Sequence, residues 1–284
     1  MQVRSAISTG LPVVPHAAEN VISDAPWWLK FRRAGLPRQL HRIAGLAFWG
    51  WTSRNAVGKV FDMSSIPHAV VPACPPSPED FSWRGRPAPT GVLRIGYVGR
   101  TVPHKGLPFL VSAIRRASLG SGKSILRIMS CEPISQALLD DCRRAGISIN
   151  AYRSAGASDV ANFMGKCDVI AVPSGSTITW SEQWGRVAAE AQMVGIPVFL
   201  SASGELPNLT TSLATVLPTN DVDSWAHELR NFAAKSLIDM GSCTSGDFGL
   251  AFAQQEQVLA KFSLAGYAET VIGLWERAVK ESRS

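Results

Sequence analysis

Two carboxylates eight residues apart, Glu182 and Glu190, lie in the stretch of this chain richest in chemical possibilities, WSEQWGRVAAEAQMVGIPVFLSASGELP from Trp180 to Pro207. Gly185 stands between them, where backbone can come close to a ligand. From Gln183 to Val194 the residues Val187, Ala188, Ala191 and Val194 recur at helical spacing, and Gly195 followed by Pro197 supplies a stop. A helix start exposes unpaired N–H groups and a partial positive charge. Glu182 to Val187 can therefore cradle a phosphate while the two carboxylates accept hydrogen bonds from hydroxyls. Phosphate together with hydroxyls points to a nucleotide-sugar.

A second cluster lies in GYVGRTVPHKG, Gly96 to Gly106. Gly99 permits close backbone approach there, and Arg100 and Lys105 bring two cations to one loop, which suits a diphosphate. Arginine offers a bidentate fork and lysine a mobile point charge; together they would neutralise a pyrophosphate leaving group. The same pair also fits an ordinary surface loop. A Gly-x-Gly-x-x-Gly fingerprint straight after the strand is absent, which argues against a nicotinamide dehydrogenase.

These residues need elements to position them. Apolar runs at Leu93–Val98, Ile125–Met129, Ile147–Ala151, Val169–Val172, Val198–Leu200 and Ala214–Leu217 predict strands. Helical patterns at Leu107–Ala117, Ile134–Ala145, Ala157–Met164, Gln183–Val194 and Val222–Ala234 alternate with them, which predicts a parallel sheet covered by helices. Both loops with chemical content, Gly99–Gly106 and Pro173–Glu182, then fall at the carboxyl edge, where such sheets bind ligands. Phe248–Phe262 and Tyr267–Lys280 are two further helical stretches. Upstream, Leu11–Val14 is a strand candidate ending at His16, Trp27–Arg33 and Arg38–Gly50 are predicted helices, and Ala69–Val71 is another short strand. Six of the nineteen residues from Pro72 to Thr90 are proline, a composition unsuited to a sheet or helix interior. The expected organisation is a partial N-terminal domain over 1–75, a Pro-rich linker over 76–92, a Rossmann-like domain over 93–262 and a C-terminal helix over 263–284 that packs back toward the first domain.

With 284 residues, 46% hydrophobic and 18% charged, the chain can bury a sizeable core. Its five cysteines form no Cys-x-x-Cys pair and have no matching histidines, so neither zinc nor a disulfide framework is indicated and a cytoplasmic setting is expected. The longest apolar run, Ile43 to Trp51, is broken by Gly45 and Gly50 and is far shorter than the roughly 20 residues of a spanning helix. Positive charge concentrates early: residues 1–92 hold ten Lys/Arg against five Asp/Glu. Ala25 to Phe61 contains no acid and interleaves its cations with Trp27, Trp28, Trp49 and Trp51. Such a segment suits either an anionic membrane surface, at the inner face, or a solvated helical face beside a core. No nucleic-acid-binding module is recognisable, so nucleic acid is not an expected partner.

The combination IGYVGR, HKG, VPSGSTITWSEQWGRVAAEAQMVGIPV, SGELP and the tail YAETVIGLWER resembles the retaining glycosyltransferases of family 4, which have the two-domain GT-B fold. The resemblance covers Leu93 to about Lys280. It implies an α/β protein with a complete C-terminal Rossmann-like domain and a partial N-terminal one. It implies that Gly99, Arg100 and Lys105 hold donor phosphates, that Glu182 touches sugar hydroxyls near the reacting centre, and that the N–H groups of Gln183, Trp184 and Gly185 reach sugar and phosphate. Glu190 would bind ribose, and Ser174 would line the same pocket. The usual Glu-Gly-Phe-Gly is here Glu-Gln-Trp-Gly, which narrows the pocket.

PVVPHAAEN, Pro12 to Asn20, resembles the middle of the family's acceptor domain, with His16 in the position that approaches the donor sugar. About a hundred residues of that domain have no counterpart, so a truncated start is expected, together with self-association or adhesion to anionic lipid. The activity implied is transfer of a sugar from a nucleoside diphosphate sugar to a sugar or lipid-linked hydroxyl acceptor with retention. No metal or other cofactor is expected, because the cations and helix N–H groups do that work. A non-catalytic nucleotide-sugar-binding or regulatory module and a nucleotide-sugar epimerase are the alternative readings.

Overall fold

The computed structural model describes residues 14, 16–17, 43–59, 62–72, 74–88, 90–119, 122–153, 156–177, 180–238 and 245–281. The predicted helix Trp27–Arg33, the pair Trp27 and Trp28, and residues 11–13 of the predicted first strand lie outside them; Val14, the last residue of that predicted strand, is in no strand, and the first strand is His16–Ala17 instead. The chain divides into two compact units. One comprises Met1–Pro75, Ser176–Trp184 and Ser263–Ser284; the other comprises Pro76–Gly175 and Gly185–Phe262.

The second unit is a six-stranded parallel sheet: β4 (Leu93–Val98), β5 (Ser124–Ser130), β6 (Ser148–Arg153), β7 (Val169–Val172), β8 (Val198–Ser201) and β9 (Ala214–Leu217), in spatial order β6-β5-β4-β7-β8-β9. The connecting helices are α2 (Leu107–Arg116), α3 (Gln136–Arg144), α4 (Ala157–Met164) and α5 (Arg186–Val194), with α6 (Val222–Ile238) and α7 (Ser245–Lys261) after β9. Strands β7 and β8 are buried at every position, as expected of parallel strands covered on both faces. The order of the strands reverses between β4 and β7, which makes their carboxyl ends the topological switch point. At the opposite edge Arg94 forks onto both carboxylate oxygens of Asp168 at 2.9 and 2.7 Å and pins β4 to the residue preceding β7. Ile95, Leu110, Ile114, Leu126, Ile128 and Trp225 form the centre of the core. The Trp225 indole N–H is satisfied by the carbonyl of Pro218 at 3.1 Å. Cys142 and Cys167 are buried, and burial pushes their thiols up to about 11 and about 12, so both pack as small apolar groups.

Residues 76–92 contain no helix or strand among those described, yet they pack closely on this unit. Phe81 is buried, the indole of Trp83 lies against Gly195, and the N–H groups of Arg84 and Gly85 both donate to the carbonyl of Val194, at 2.8 and 3.1 Å. The Pro-rich stretch is thus a strap over the C-terminal end of α5.

In this unit strand positions agree with the sequence reading to within two residues, whereas α5 begins three residues later than predicted, at Arg186. Gly185 has φ +76, a left-handed conformation that ends the preceding irregular segment and serves as the N-cap. Gln183 and Trp184 therefore precede the helix.

In the first unit, β1 (His16–Ala17), β2 (Leu46–Phe48) and β3 (His68–Val70) form a parallel sheet in sequence order, with α1 (Trp51–Gly58) following β2. The predicted helix Arg38–Gly50 is corrected: Leu46–Phe48 is a strand, paired with His16–Ala17 on one side and His68–Val70 on the other. Its residues are all buried, and a short apolar run buried on both faces carries no periodicity that separates strand from helix. Ile43, Leu46, Phe48, Val57, Met63 and Ile66 make one core cluster. Ala47 and Val71 make another with Leu274 from α8 (Leu264–Glu281), so the C-terminal helix belongs to this unit. Among the described residues no helix is long and apolar enough to cross a membrane.

Candidate functional site

Two loops leave the sheet at the switch point. After β4 the chain passes through Gly99–Thr101 and a single 3-10 turn, Pro103–Lys105, before α2; after β7 it passes through Pro173–Gly175. The loops touch: the N–H of Gly175 donates to the carbonyl of His104 at 2.9 Å. Gly106 has φ +76, and a Cβ there would fall on the carbonyl oxygen of Pro173, so glycine alone lets the loops meet. Hydroxyls from β8 and the segment after it hold the second loop from behind. Ser201 Oγ donates to the carbonyl of Ser174 at 2.5 Å and Ser203 Oγ to that of Gly175 at 2.8 Å.

The first loop is fastened from three directions. Its Gly99 N–H donates to the carbonyl of Met129 at 3.1 Å, at the end of β5. Tyr97, buried in β4, places its hydroxyl 2.5 Å from the carbonyl of Arg100, and Glu132 accepts from the N–H of Thr101 at 2.7 Å. The Arg100 side chain, by contrast, is exposed and has no partner among the described residues, while Lys105 is half-buried. Beside this loop, past the ends of β5 and β6, Ser130, Cys131, Glu132, Tyr152 and Arg153 line a cavity of about 510 Å³.

Helix α5 returns from the carboxyl edge, which its connection from β7 to β8 requires. Its N-terminal N–H groups therefore open at the ligand edge. One turn in lies Glu190, buried and without a hydrogen-bond partner among the described residues. Burial pushes its carboxyl up to about 7, opposed by the charge of Arg186 one turn earlier. Its oxygens are not sealed from solvent, so a ligand at this edge can reach them with donors of its own.

Of the predicted site residues, Gly99, Arg100, Lys105, Ser174, Gly185 and Glu190 lie in the second unit, and the first four are on the two touching loops. Glu182, Gln183 and Trp184 belong to the segment Ser176–Trp184 grouped with the first unit, as does His16 in β1. Glu182 and Trp184 are buried. Sequence reasoning missed Tyr97 and Glu132. A carboxylate two residues past a parallel strand is a signal that finds Glu132; nothing in the pattern of β4 separates Tyr97 from an ordinary core residue. An Asp-x-Asp triplet, Asp221 to Asp223, is accounted for structurally. Asp221 caps α6 by accepting from the N–H and hydroxyl of Ser224, and Asp223 pairs with Arg116 at 2.6 Å.

The profile of the glycosyl transferases group 1 matches residues 82–238, more than half of the chain. The chain belongs to this family. A D-inositol 3-phosphate glycosyltransferase of Segniliparus rotundus is 31% identical over 150 residues, 51% of this chain and 32% of the relative. The group 1 chain thus spans about a third of the length of the curated relatives it matches. Among solved structures, a glycosyltransferase from Rickettsia africae superposes with a TM-score of 0.74 at 14% identity, over 98% of this chain and 74% of the other. Anabaena HepE, solved in complex with UDP-glucose, gives 0.67 at 15% identity, over 97% and 75%. These structural neighbours establish the GT-B-type α/β fold.

Proposed function

We propose that this chain carries the donor-binding part of a retaining glycosyltransferase of family 4, which moves a hexose from a nucleoside diphosphate sugar to a hydroxyl on a sugar or lipid-linked acceptor. The observation that carries the reading is Glu190. A buried carboxylate without a partner, on the helix that opens at the switch point, suits a ligand with hydroxyl donors; ribose has two adjacent ones. Arg100 and Lys105 meet the diphosphate, and the N-terminus of α5 adds its partial charge.

The resemblance to family 4 supplies the remaining roles. Glu182 contacts sugar hydroxyls, Gln183, Trp184 and Gly185 offer backbone donors, Ser174 lines the pocket, and His16 approaches the donor sugar. As the bond between the anomeric carbon and the diphosphate oxygen breaks, negative charge grows on the leaving group, and fixed cations and N–H groups stabilise it more than they stabilise the ground state. The acceptor attacks from the face the diphosphate leaves, and a phosphate oxygen takes the acceptor's proton, which preserves the anomeric configuration. The basic, Trp-bearing N-terminal segment is assigned to an anionic membrane surface at the cytoplasmic side.

Calorimetry with UDP and GDP tests the site. Arg100→Ala and Lys105→Ala should each weaken binding by about tenfold or more, since a charge-assisted contact is worth roughly 1.5 to 3 kcal/mol. Unchanged affinity in both variants would remove the loop from the site.

A further inference from the structure

The peptide group joining Arg100 to Thr101 is held at both of its polar ends. Its carbonyl accepts a hydrogen bond from the Tyr97 hydroxyl at 2.5 Å, and its N–H donates to Oε2 of Glu132 at 2.7 Å. The Thr101 hydroxyl, with one proton to donate, lies within reach of the same carboxylate oxygen at 3.2 Å and of the carbonyl of Pro133 at 3.3 Å. Glu132 is itself steadied, because its N–H donates to Ser130 Oγ at 3.0 Å. Tyr97 is only 2% exposed, so its phenol is a fixed post. One peptide plane is thus clamped between a core tyrosine and a carboxylate, while the guanidinium just before it has no partner among the described residues.

Rotation of that plane would turn the Arg100 backbone and redirect the guanidinium. A carboxylate is also an unexpected neighbour for a loop that meets a diphosphate, since like charges repel. Its presence makes sense if the gain from fixing the loop exceeds the repulsion. We propose that Glu132 is a positioning residue for diphosphate binding: through Thr101 it locks the turn from which Arg100 meets the phosphates. The proposal rests on the assignment of Arg100 to the diphosphate. It goes beyond that assignment in giving the carboxylate a favourable effect on anion binding, opposite in sign to its bare charge.

The test uses the full chain with UDP and uridine as probes, calorimetric affinities and thermal melts. Glu132→Ala should weaken UDP binding about tenfold, the scale of one charge-assisted hydrogen bond, and leave uridine binding unchanged. Glu132→Gln, which keeps an acceptor for the Thr101 N–H, should restore most of the loss. In an Arg100→Ala background, Glu132→Ala should add little, because the positioned group is gone. Tyr97→Phe releases the other end of the same peptide and should reproduce the selective loss of UDP; it decides the matter if Glu132→Ala fails to fold. Equal losses for UDP and uridine, losses that multiply with Arg100→Ala, or tighter UDP binding in Glu132→Ala would each overturn the proposal. If Arg100→Ala itself leaves UDP binding intact, it is the donor-site assignment that fails.

Discussion

Glu190 shows how one side chain can couple ligand, proton and stability. Its carboxyl is raised from about 4.5 to about 7 by burial, so between those values the folded protein holds a proton that the unfolded chain has released. Its contribution to stability is therefore fully present below pH 4.5 and falls as pH rises toward 7. In the proposed site ribose hydroxyls would donate to the ionised form, so nucleotide affinity should move the other way and rise as pH passes through 7. Glu190→Gln removes both dependences. The ligand-free variant should melt above the wild type at pH 8 and level with it at pH 4.5, while its UDP affinity should be low and flat with pH. Identical melting of the two proteins at pH 8 would show that burial does not raise the carboxyl. The sequence marked Glu190 because acid residues spaced by eight flank a glycine, a pattern with chemical meaning. It did not mark Glu132, whose meaning depends on the Thr101 N–H being brought to it across two strands.

At the scale of elements, the ligand edge depends on two loops meeting at Gly106 and Pro173. Gly106→Ala incurs the left-handed penalty of about 1 to 2 kcal/mol and in addition drives a Cβ into a backbone carbonyl that has no room to yield. Gly122→Ala is the control. There φ is +83 but nothing lies within 4 Å of the added carbon. The first variant should melt well below the second and lose UDP binding, and equal melting would mean that the loops tolerate separation. The strands that build this edge were legible in the sequence because each is a short apolar run set off by helical stretches. The helix start at Arg186 was not, because Gln183 and Trp184 suit a first helical turn as well as Arg186 and Val187 do. The deciding feature is the backbone angle at Gly185, which a glycine permits and does not announce. Leu46–Phe48 was misread for a related reason: its strand character comes from partners far away in sequence, Ala17 and His68–Val70 among them.

For the molecule as a whole, the second unit has its own core, its own sheet, the cationic loop and Glu190, so it should fold and bind nucleotide alone. Where it starts matters. A boundary at Leu93, which the Pro-rich composition suggests, would delete the strap that buries Phe81, lays Trp83 on Gly195 and delivers two N–H groups to the Val194 carbonyl. Removing it uncovers the end of α5, the helix whose other end opens at the ligand edge. Two aromatic side chains and a doubly used carbonyl amount to about 3 to 6 kcal/mol as an upper estimate. A fragment of residues 76–262 should therefore melt cooperatively and bind UDP within a few-fold of the full chain. A fragment of residues 93–262 should melt lower by roughly 2 to 4 °C for each kcal/mol lost and bind UDP more weakly, as α5 loses its support. Neither should transfer sugar if His16 and the rest of the first unit supply the acceptor side. Equal melting temperatures for the two fragments would show that residues 76–92 contribute no stability and are a simple linker after all.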